Sequence, residues 1–378
     1  MQDFLVKEIA SKDIKSEIAY IGFDKSYLSK AIDKFNYKNI KIYGLTPAQA
    51  NILKQTALTV GADCATHRDV ITGKIEKSDC ILGGSISQIR KIAEKLKFQP
   101  FNLKSLGSIL SDNLAQQPHK TKIIGILNIT ENSFSDGGVY LDPTKAFEHF
   151  KEMVNDGADI IDIGAESTKP YSEPIDPQIQ LERILPILDL VKKEKIKIPI
   201  SIDTRSSLVA EKCIKAGAKI INDVSGMTYD WCMADVVAKY GVYVIIQHTK
   251  GTPQNMQDKP VYKNLMDDIY SDLAQKIDFA ETKGIAKNKI IIDPGIGFGK
   301  TREHNFEILR RVEELQALGC PVLLGLSRKS LLDMQNEDNQ TKDIFTVALN
   351  TIAIEHNVDF IRVHNVKLHK QLVKMLNV

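Results

Sequence analysis

The polar residues that could do chemistry in this sequence stand at the ends of short apolar runs. Reading forward, they are Asn128, the stretch from Glu166 to Lys169, Asp203, Asn222 with Asp223, His248, Asp293, Ser327 with Lys329, and Arg362 with His364. One polar strand end is unremarkable, because a strand must stop somewhere. A full set converging on one rim would make a polar, mixed-charge pocket over an apolar floor. Asp203, Asn222 and Asp293 offer acceptors, and Asn222 also offers donors; together they suit a flat heterocycle with an amino-amide edge. Lys329 can donate to a ring oxygen or nitrogen. Arg362 and His364 lie two apart on a strand, so both point to the same face. With Lys169, Asn128 and loop hydroxyls they suit an anion such as a pyrophosphate.

The elements that must position these groups show in the same runs. Apolar, β-branched segments occur at Ile123–Leu127, Ile160–Ile163, Ile198–Ile202, Ile220–Ile221, Val242–Ile246, Ile290–Ile292, Val322–Leu324 and Phe360–Val363, and helical patterning follows each. Strands that are apolar throughout are buried on both faces, as in parallel sheets. Such an alternation predicts an α/β protein with a TIM (β/α)8 barrel over 121–378. A doubly wound open sheet is the runner-up; it normally has fewer strands and a glycine-rich phosphate turn after the first. Upstream, residues 1–110 read as a smaller α/β domain. Strands are expected at Ile18–Phe23, Ile40–Tyr43 and Cys80–Leu82, and helices at Pro47–Val60 and Ile86–Leu96. Thr46 is the expected N-cap of the first of those helices, with Pro47 at its first position. The polar stretch 111–120, SDNLAQQPHK, has neither periodicity and reads as a linker.

Composition narrows the function classes. The 378 residues are 43% hydrophobic and 26% charged with a formal net charge of +2, ordinary for a soluble globular protein and without the basic excess of a nucleic-acid binder. The five cysteines are widely spaced without a CxxC, which points to free thiols in a reducing compartment. The N-terminal stretch lacks the apolar core of a signal peptide, and no apolar run is long enough to span a bilayer. A cytoplasmic enzyme working on small molecules, without nucleic acid or membrane partners, is the expectation. GxSxG, HExxH and a cysteine beside a histidine are all missing. GIGFGKT resembles a phosphate loop, but GxxxxGK[ST] would need glycine where Pro294 stands, and GxGxxG fails at Lys300.

Taken in order, the strand ends resemble the signature segments of the dihydropteroate synthases. The matching pieces are ILNITENSFSDGG (Ile126–Gly138), DIGAESTKP (Asp162–Pro170), SIDT (Ser201–Thr204) and INDVSG (Ile221–Gly226). They continue with QHTKGTPQNMQ (Gln247–Gln257), DPGIGFGKTREHN (Asp293–Asn305), GLSRKS (Gly325–Ser330) and RVHNV (Arg362–Val366). Each piece is weakly specific; the ordered set is very specific. The resemblance implies the barrel fold and a condensation of 6-hydroxymethyl-7,8-dihydropterin pyrophosphate with para-aminobenzoate. By the same resemblance Asp203, Asn222, Asp293, Phe298 and Lys329 bind the pterin. Asn128, Lys169, Arg362 and His364 hold the pyrophosphate, with Asn128 on Mg²⁺, the implied cofactor. Phe134, Thr168 and Pro170, on two loops that close over para-aminobenzoate, form its pocket with Ser327 nearby. Asp203, Asp293, Lys329, Arg362 and His364 carry the reaction, and a homodimer through the barrel is implied. Taken singly, Asn128 also reads as a strand-end amide and Lys169 as a solvated loop lysine. His248 reads as a neutral, satisfied strand-end histidine.

Several positions depart from the family pattern. Lys169 replaces an arginine, Ala165 a glycine, and Glu131 and Asn132 a proline and an aspartate. Gln247 and Thr249 stand for methionines, which makes the pocket more polar or differently filled, and Asn365 replaces an aspartate. These leave two alternatives open: a degenerate relative that binds pterin without turnover, and a pterin-dependent corrinoid methyltransferase. Retention of Lys329 together with Arg362 and His364 argues against the second. Residues 1–110 carry no nucleotide fingerprint or metal cluster, and the isolated Thr66, His67 and Arg68 read as surface.

Overall fold

The computed structural model describes residues 6–9, 13–114, 120–130, 142–166, 174–251, 260–329 and 337–376. The chain falls into two compact units, Met1–Gln117 and Pro118–Val378. In the first, α1 (Ile14–Tyr20) and α2 (Leu28–Phe35) precede β1 (Tyr37–Leu45) and α3 (Pro47–Leu58). Then come β2 (Asp63–Ala65), β3 (Ser78–Ser85), α4 (Ile86–Leu96) and α5 (Leu103–Asn113). The three strands lie in the order β1-β3-β2, antiparallel throughout. Thr46 and Gln49 form a reciprocal capping box at the start of α3, and Ser85 and Gln88 another at the start of α4. Leu53, Leu82, Ile89, Ile92 and Leu96 are fully buried between sheet and helices.

Two expectations for this unit are corrected. The run Ile18–Phe23 is not a strand: Ile14 and Ile18 lie one helical turn apart in α1, and Gly22 adopts φ +82° just past its end. A short apolar run satisfies either period, and here the helical one wins. The stretch read as a linker begins inside α5, which runs to Asn113.

In the second unit every expected strand is present. The order is β4 (Lys122–Asn128), α6 (Pro143–Asn155), β5 (Ile160–Gly164), α7 (Pro177–Lys193), β6 (Ile200–Asp203), α8 (Ser207–Ala216), β7 (Ile220–Asp223) and α9 (Met233–Tyr240). It continues with β8 (Tyr243–Gln247), α10 (Leu265–Thr282), β9 (Ile290–Asp293), α11 (Arg302–Arg311), β10 (Leu323–Leu324), α12 (Asn339–Glu355), β11 (Phe360–Val363) and α13 (Val366–Leu376). All eight strands are parallel in the order β10-β11-β4-β5-β6-β7-β8-β9. A parallel bridge from Ile292 to Val322 brings β9 against the segment leading into β10, so the sheet meets itself as a (β/α)8 barrel and not an open sheet.

Strand register sorts the side chains. Outward residues such as Ile123, Ile161, Ile163, Ile202, Ile221, Val244, Ile246 and Ile292 pack under the helices in one large core. Ile124, Ile160, Ile220, Ile245, Ile291 and Leu323 form a separate inner cluster with Phe360 against it. This is the apolar floor. With a side-chain period of two, the next inward positions are Ile126, Asp162, Asn222, Gln247, Asp293 and Arg362. A charged layer therefore lies directly on an aliphatic one.

Candidate active site

Arg362 organises the charged layer. Its Nε donates to Asp162 Oδ2 at 2.6 Å and its Nη2 to Asp203 Oδ2 at 2.8 Å. Asn222 Nδ2 donates to the same Asp162 oxygen at 3.0 Å. Asp293 accepts from Gly295 N–H at 2.7 Å through Oδ1. Asp203 Oδ1, Asn222 Oδ1 and Asp293 Oδ2 take no partner among the described residues, yet they are not among the fully enclosed unpartnered atoms. Three reachable, unpaired acceptors at the ends of β6, β7 and β9 call for a ligand edge rich in N–H donors. Asn128, half-buried at the end of β4, borders this group: a Cβ on Gly164 would lie 3.3 Å from Asp203 Cβ and 3.7 Å from Asn128 Oδ1. Only glycine leaves that gap open.

The loop after β9 forms another wall. Lys329 Nζ donates to Ile296 O at 2.5 Å and lies 4.8 Å from the centroid of the Phe298 ring. Lys300 is buried, donates to Phe298 O at 2.9 Å, and sits 2.8 Å from His248 Nδ1. Gly297 N–H donates to Asn305 Oδ1 at 2.9 Å. Gly295 holds φ +70°, and a Cβ there would come within 2.0 Å of His248 O, so the tight approach of this loop to β8 requires glycine. Phe298 is thus presented by a braced loop, and Lys329 reaches that loop from the segment after β10. Ser327 Oγ lies 2.9 Å from His364 Nδ1 and accepts from His364 N–H at 3.2 Å. Arg362 and His364 were expected two apart on one strand, but β11 ends at Val363 and His364 lies one residue beyond it; they take different partners, the arginine among carboxylates and the histidine beside Ser327.

Burial and charge set the titration. Burial drives Asp203 up to about 7; Arg362 pulls it back, while Asp162, Glu166 and Asp223 push it further up. Asp293 is also raised by burial, against the pull of Lys329. Burial lowers Lys329 to about 8, opposed by Asp293. His248 is driven down to about 2 by burial and by Lys300, so it is neutral at every working pH. It is the satisfied histidine that the sequence suggests.

Phe134, Thr168, Lys169 and Pro170 lie outside the described residues. No group of three or more His, Cys, Asp or Glu side chains able to hold a metal occurs among the described residues. Asn128 offers one amide oxygen, a ligand that fits an ion drawing its other oxygens from water and phosphate, the habit of Mg²⁺.

Residues 124–364 match the family described as pterin-binding enzyme. The chain is similar to a dihydropteroate synthase of Clostridium beijerinckii, 44% identical over 261 residues covering 68% of this chain and 94% of the relative. A bifunctional dihydropteroate synthase/dihydropteroate reductase of Helicobacter pylori is 32% identical over 379 residues, 98% of each chain. Among solved structures, a Yersinia pestis dihydropteroate synthase with a sulfonamide drug complex is 36% identical with a TM-score of 0.66, covering 68% of this chain and 94% of that one. The chain belongs to the dihydropteroate synthase family.

Against that family pattern the departures acquire physical reasons. Gln247 Nε2 donates to Val224 O at 3.4 Å and to Thr249 Oγ1 at 3.2 Å, and Thr249 Oγ1 donates to Val224 O at 2.7 Å. The two polar replacements answer each other and one carbonyl. Asn365 Nδ2 donates to Asp343 Oδ2 at 3.0 Å, where an aspartate would repel, and Asp343 also binds Arg328. The sequence reading gave no role to Asp162 and named Glu166 without its partner. Asp162, within IIDIG, is a charge inside an apolar strand, and that interruption was its signal. Glu166 pairs with Arg205 at 2.5 Å, buried, with the guanidinium 4.4 Å from the Tyr229 ring centroid, which ties the ends of β5 and β6 to the loop after β7. Nothing local in the sequence marks that pair.

Proposed function

We infer that the chain is a transferase that condenses 6-hydroxymethyl-7,8-dihydropterin pyrophosphate with para-aminobenzoate to give 7,8-dihydropteroate and pyrophosphate. The observation that carries this reading is the set of unpaired acceptors on Asp203, Asn222 and Asp293, beside Lys329 and Arg362, inside the family-matched segment. In this reading the three acceptors take ring N–H groups, and Phe298 and Lys329 cover the ring. The bond from the pterin methylene carbon to the pyrophosphate oxygen breaks with its electron pair leaving on the pyrophosphate. The cation left behind is delocalised into the ring and is stabilised by the Asp203 and Asp293 carboxylates. The neutral amine of para-aminobenzoate forms the new C–N bond and gives its proton to solvent. Arg362 Nη1 and His364 face the departing charge, with Ser327 beside His364 on the aminobenzoate side. No protein nucleophile is needed.

Mg²⁺ belongs to this proposal, held by Asn128, and when bound it supplies positive charge to the leaving pyrophosphate. Turnover is expected to vanish in excess chelator and return with added Mg²⁺. A homodimer through the barrel belongs to it too, and sedimentation of the full chain checks that. Among the described residues no helix is long and apolar enough to cross a membrane. Incubation of the purified chain with both substrates should release dihydropteroate and pyrophosphate in equal amounts. Binding of both substrates without product would favour the degenerate alternative.

A second reading concerns the first unit. The Helicobacter pylori relative carries the added name dihydropteroate reductase and aligns over 98% of this chain, whereas the Clostridium beijerinckii relative covers 68%. We propose that the full chain also reduces its product, adding a hydride and a proton across a ring C=N bond, with a reduced nicotinamide as donor. Loss of nicotinamide absorbance on adding dihydropteroate tests it; no loss removes the second activity for that donor.

A further inference from the structure

Asp162 is the one carboxylate of the charged layer without a place in the reaction. Its residue is fully buried in the middle of β5, two positions above the apolar floor. One oxygen, Oδ2, accepts from both Arg362 Nε and Asn222 Nδ2, and the other, Oδ1, has no partner. A carboxylate only accepts, so the Asn222 atom that faces it must be the amide nitrogen. The Asn222 carbonyl oxygen is thereby turned away from Asp162. An asparagine without such a neighbour can rotate by half a turn at little cost and present either end.

We propose that Asp162 is a positioning residue that fixes the donor–acceptor polarity of Asn222 and so selects heterocycles offering an N–H to the Asn222 carbonyl. The inference deepens the pterin reading and rests on it. A 2-amino-4-oxo pterin and its 2,4-dioxo analogue have nearly the same shape. They differ in that the amino donor becomes an acceptor and the adjacent ring nitrogen gains a hydrogen. An asparagine locked with its carbonyl towards the 2-substituent accepts the amino group of the first and opposes the oxo group of the second.

The test compares Asp162→Ala with Asp162→Asn by calorimetry on the full chain with both compounds. Alanine removes the acceptor and frees the amide to turn. Asparagine loses the charge but keeps an oxygen where Oδ2 stands, able to accept from Arg362 Nε and Asn222 Nδ2 together. The ratio of pterin to dioxo affinity is expected to fall about 10- to 100-fold in the alanine variant, the range set by leaving one buried polar group mismatched. In the asparagine variant it should stay within about threefold of the parent, because the same hydrogen bonds persist. An unchanged ratio in the alanine variant overturns the proposal, as does equal collapse in both variants, which would make the charge the cause. Failure of the parent chain to bind either compound would instead overturn the pterin reading itself. If the alanine variant does not fold, the parent decides. The side-chain amide protons of Asn222, assigned by their loss in Asn222→Ser, should include one deshielded by the carboxylate that keeps its shift when pterin binds. Two protons at ordinary positions would overturn the assignment.

Discussion

The two units of this chain dispose of polar groups in opposite ways. Among the described residues the first unit buries Thr56, Ser78 and Ser85 and no charged side chain. The barrel unit buries Asp162, Glu166, Asp203, Arg205, Asp223, Asp293, Lys300 and Asp343, all but Asp162 at or beyond the ends of strands, or on a helix against them. Removing a charge from water is expensive unless it is paired, and a hydrophobic replacement of similar size is often no less stable. The first unit therefore reads as a core held by apolar burial. The barrel retains an arrangement that stability alone would not favour, and the strand ends are where its chemistry concentrates.

The largest expected effect comes from Arg362→Ala. Asp162 and Asp203 would face each other without their shared cation, and breaking a buried pair from one side costs about 3–5 kcal/mol. Turnover should fall about 1,000-fold or more, as for loss of a charge-stabilising group at a reacting centre. Because Arg362 braces the ring acceptors as well as facing the anion, pterin binding should weaken with or without phosphates. Calorimetry with both ligands checks this; unchanged binding of the phosphate-free pterin would separate the arginine from the ring site.

A smaller effect should appear in the pH profile. In the proposed reaction Asp203 is ionised to stabilise the cation, and its raised value puts that change near pH 7. Lys329 must be charged, and its lowered value puts its loss near pH 8. The kcat/KM for the pterin pyrophosphate should therefore be bell-shaped with limbs at about those values. Lys329→Arg should remove the alkaline limb. The stability sign runs the other way. Asp203 sits above its ordinary 3.8 when folded, so its contribution is complete below that value and is lost as pH rises to about 7. Asp203→Asn should flatten the decline in Tm across that window.

His364→Ala should be milder and more selective than Arg362→Ala. The ring lies beside Ser327. Loss of one hydrogen-bonding group to an anion predicts about a 10-fold weaker pterin pyrophosphate with phosphate-free pterin unchanged. Equal weakening of both ligands would remove His364 from the anion site.

The same contrast explains what could be read in advance. Barrel strands such as Ile290–Asp293 are apolar until a polar last residue, so their positions and the ring of Asp203, Asn222, Asp293, Lys329 and Arg362 were legible. The roles given to Arg362 and His364 were legible only as a common face, since their separate partners come from β5, β6 and the loop after β10. Asp162 lies two residues before the strand end that drew notice. Its importance depends on Asn222, 60 residues away, and on Arg362, 200 residues away. In the first unit, Ile18–Phe23 was too short to separate helix from strand, and β2, at three residues, left no periodic trace.

The smallest expected effect is the sharpest test of the contrast. If the catalytic groups are all in the second unit, a chain beginning at Pro118 should keep the condensation. The Clostridium beijerinckii relative aligns with 68% of this chain and 94% of its own length, so a protein of that extent carries the dihydropteroate synthase name without a counterpart of the first unit. The barrel has its own floor, its own outer core, and a sheet that meets itself through the bridge from Ile292 to Val322. A domain with its own core can fold alone, so kcat/KM of the truncated chain should remain within about threefold of the parent. Product reduction, if the full chain shows it, should be absent from the truncated chain. Loss of condensation in a truncated chain that still melts cooperatively would mean that the first unit, despite its uncharged interior, supplies or orders part of the site.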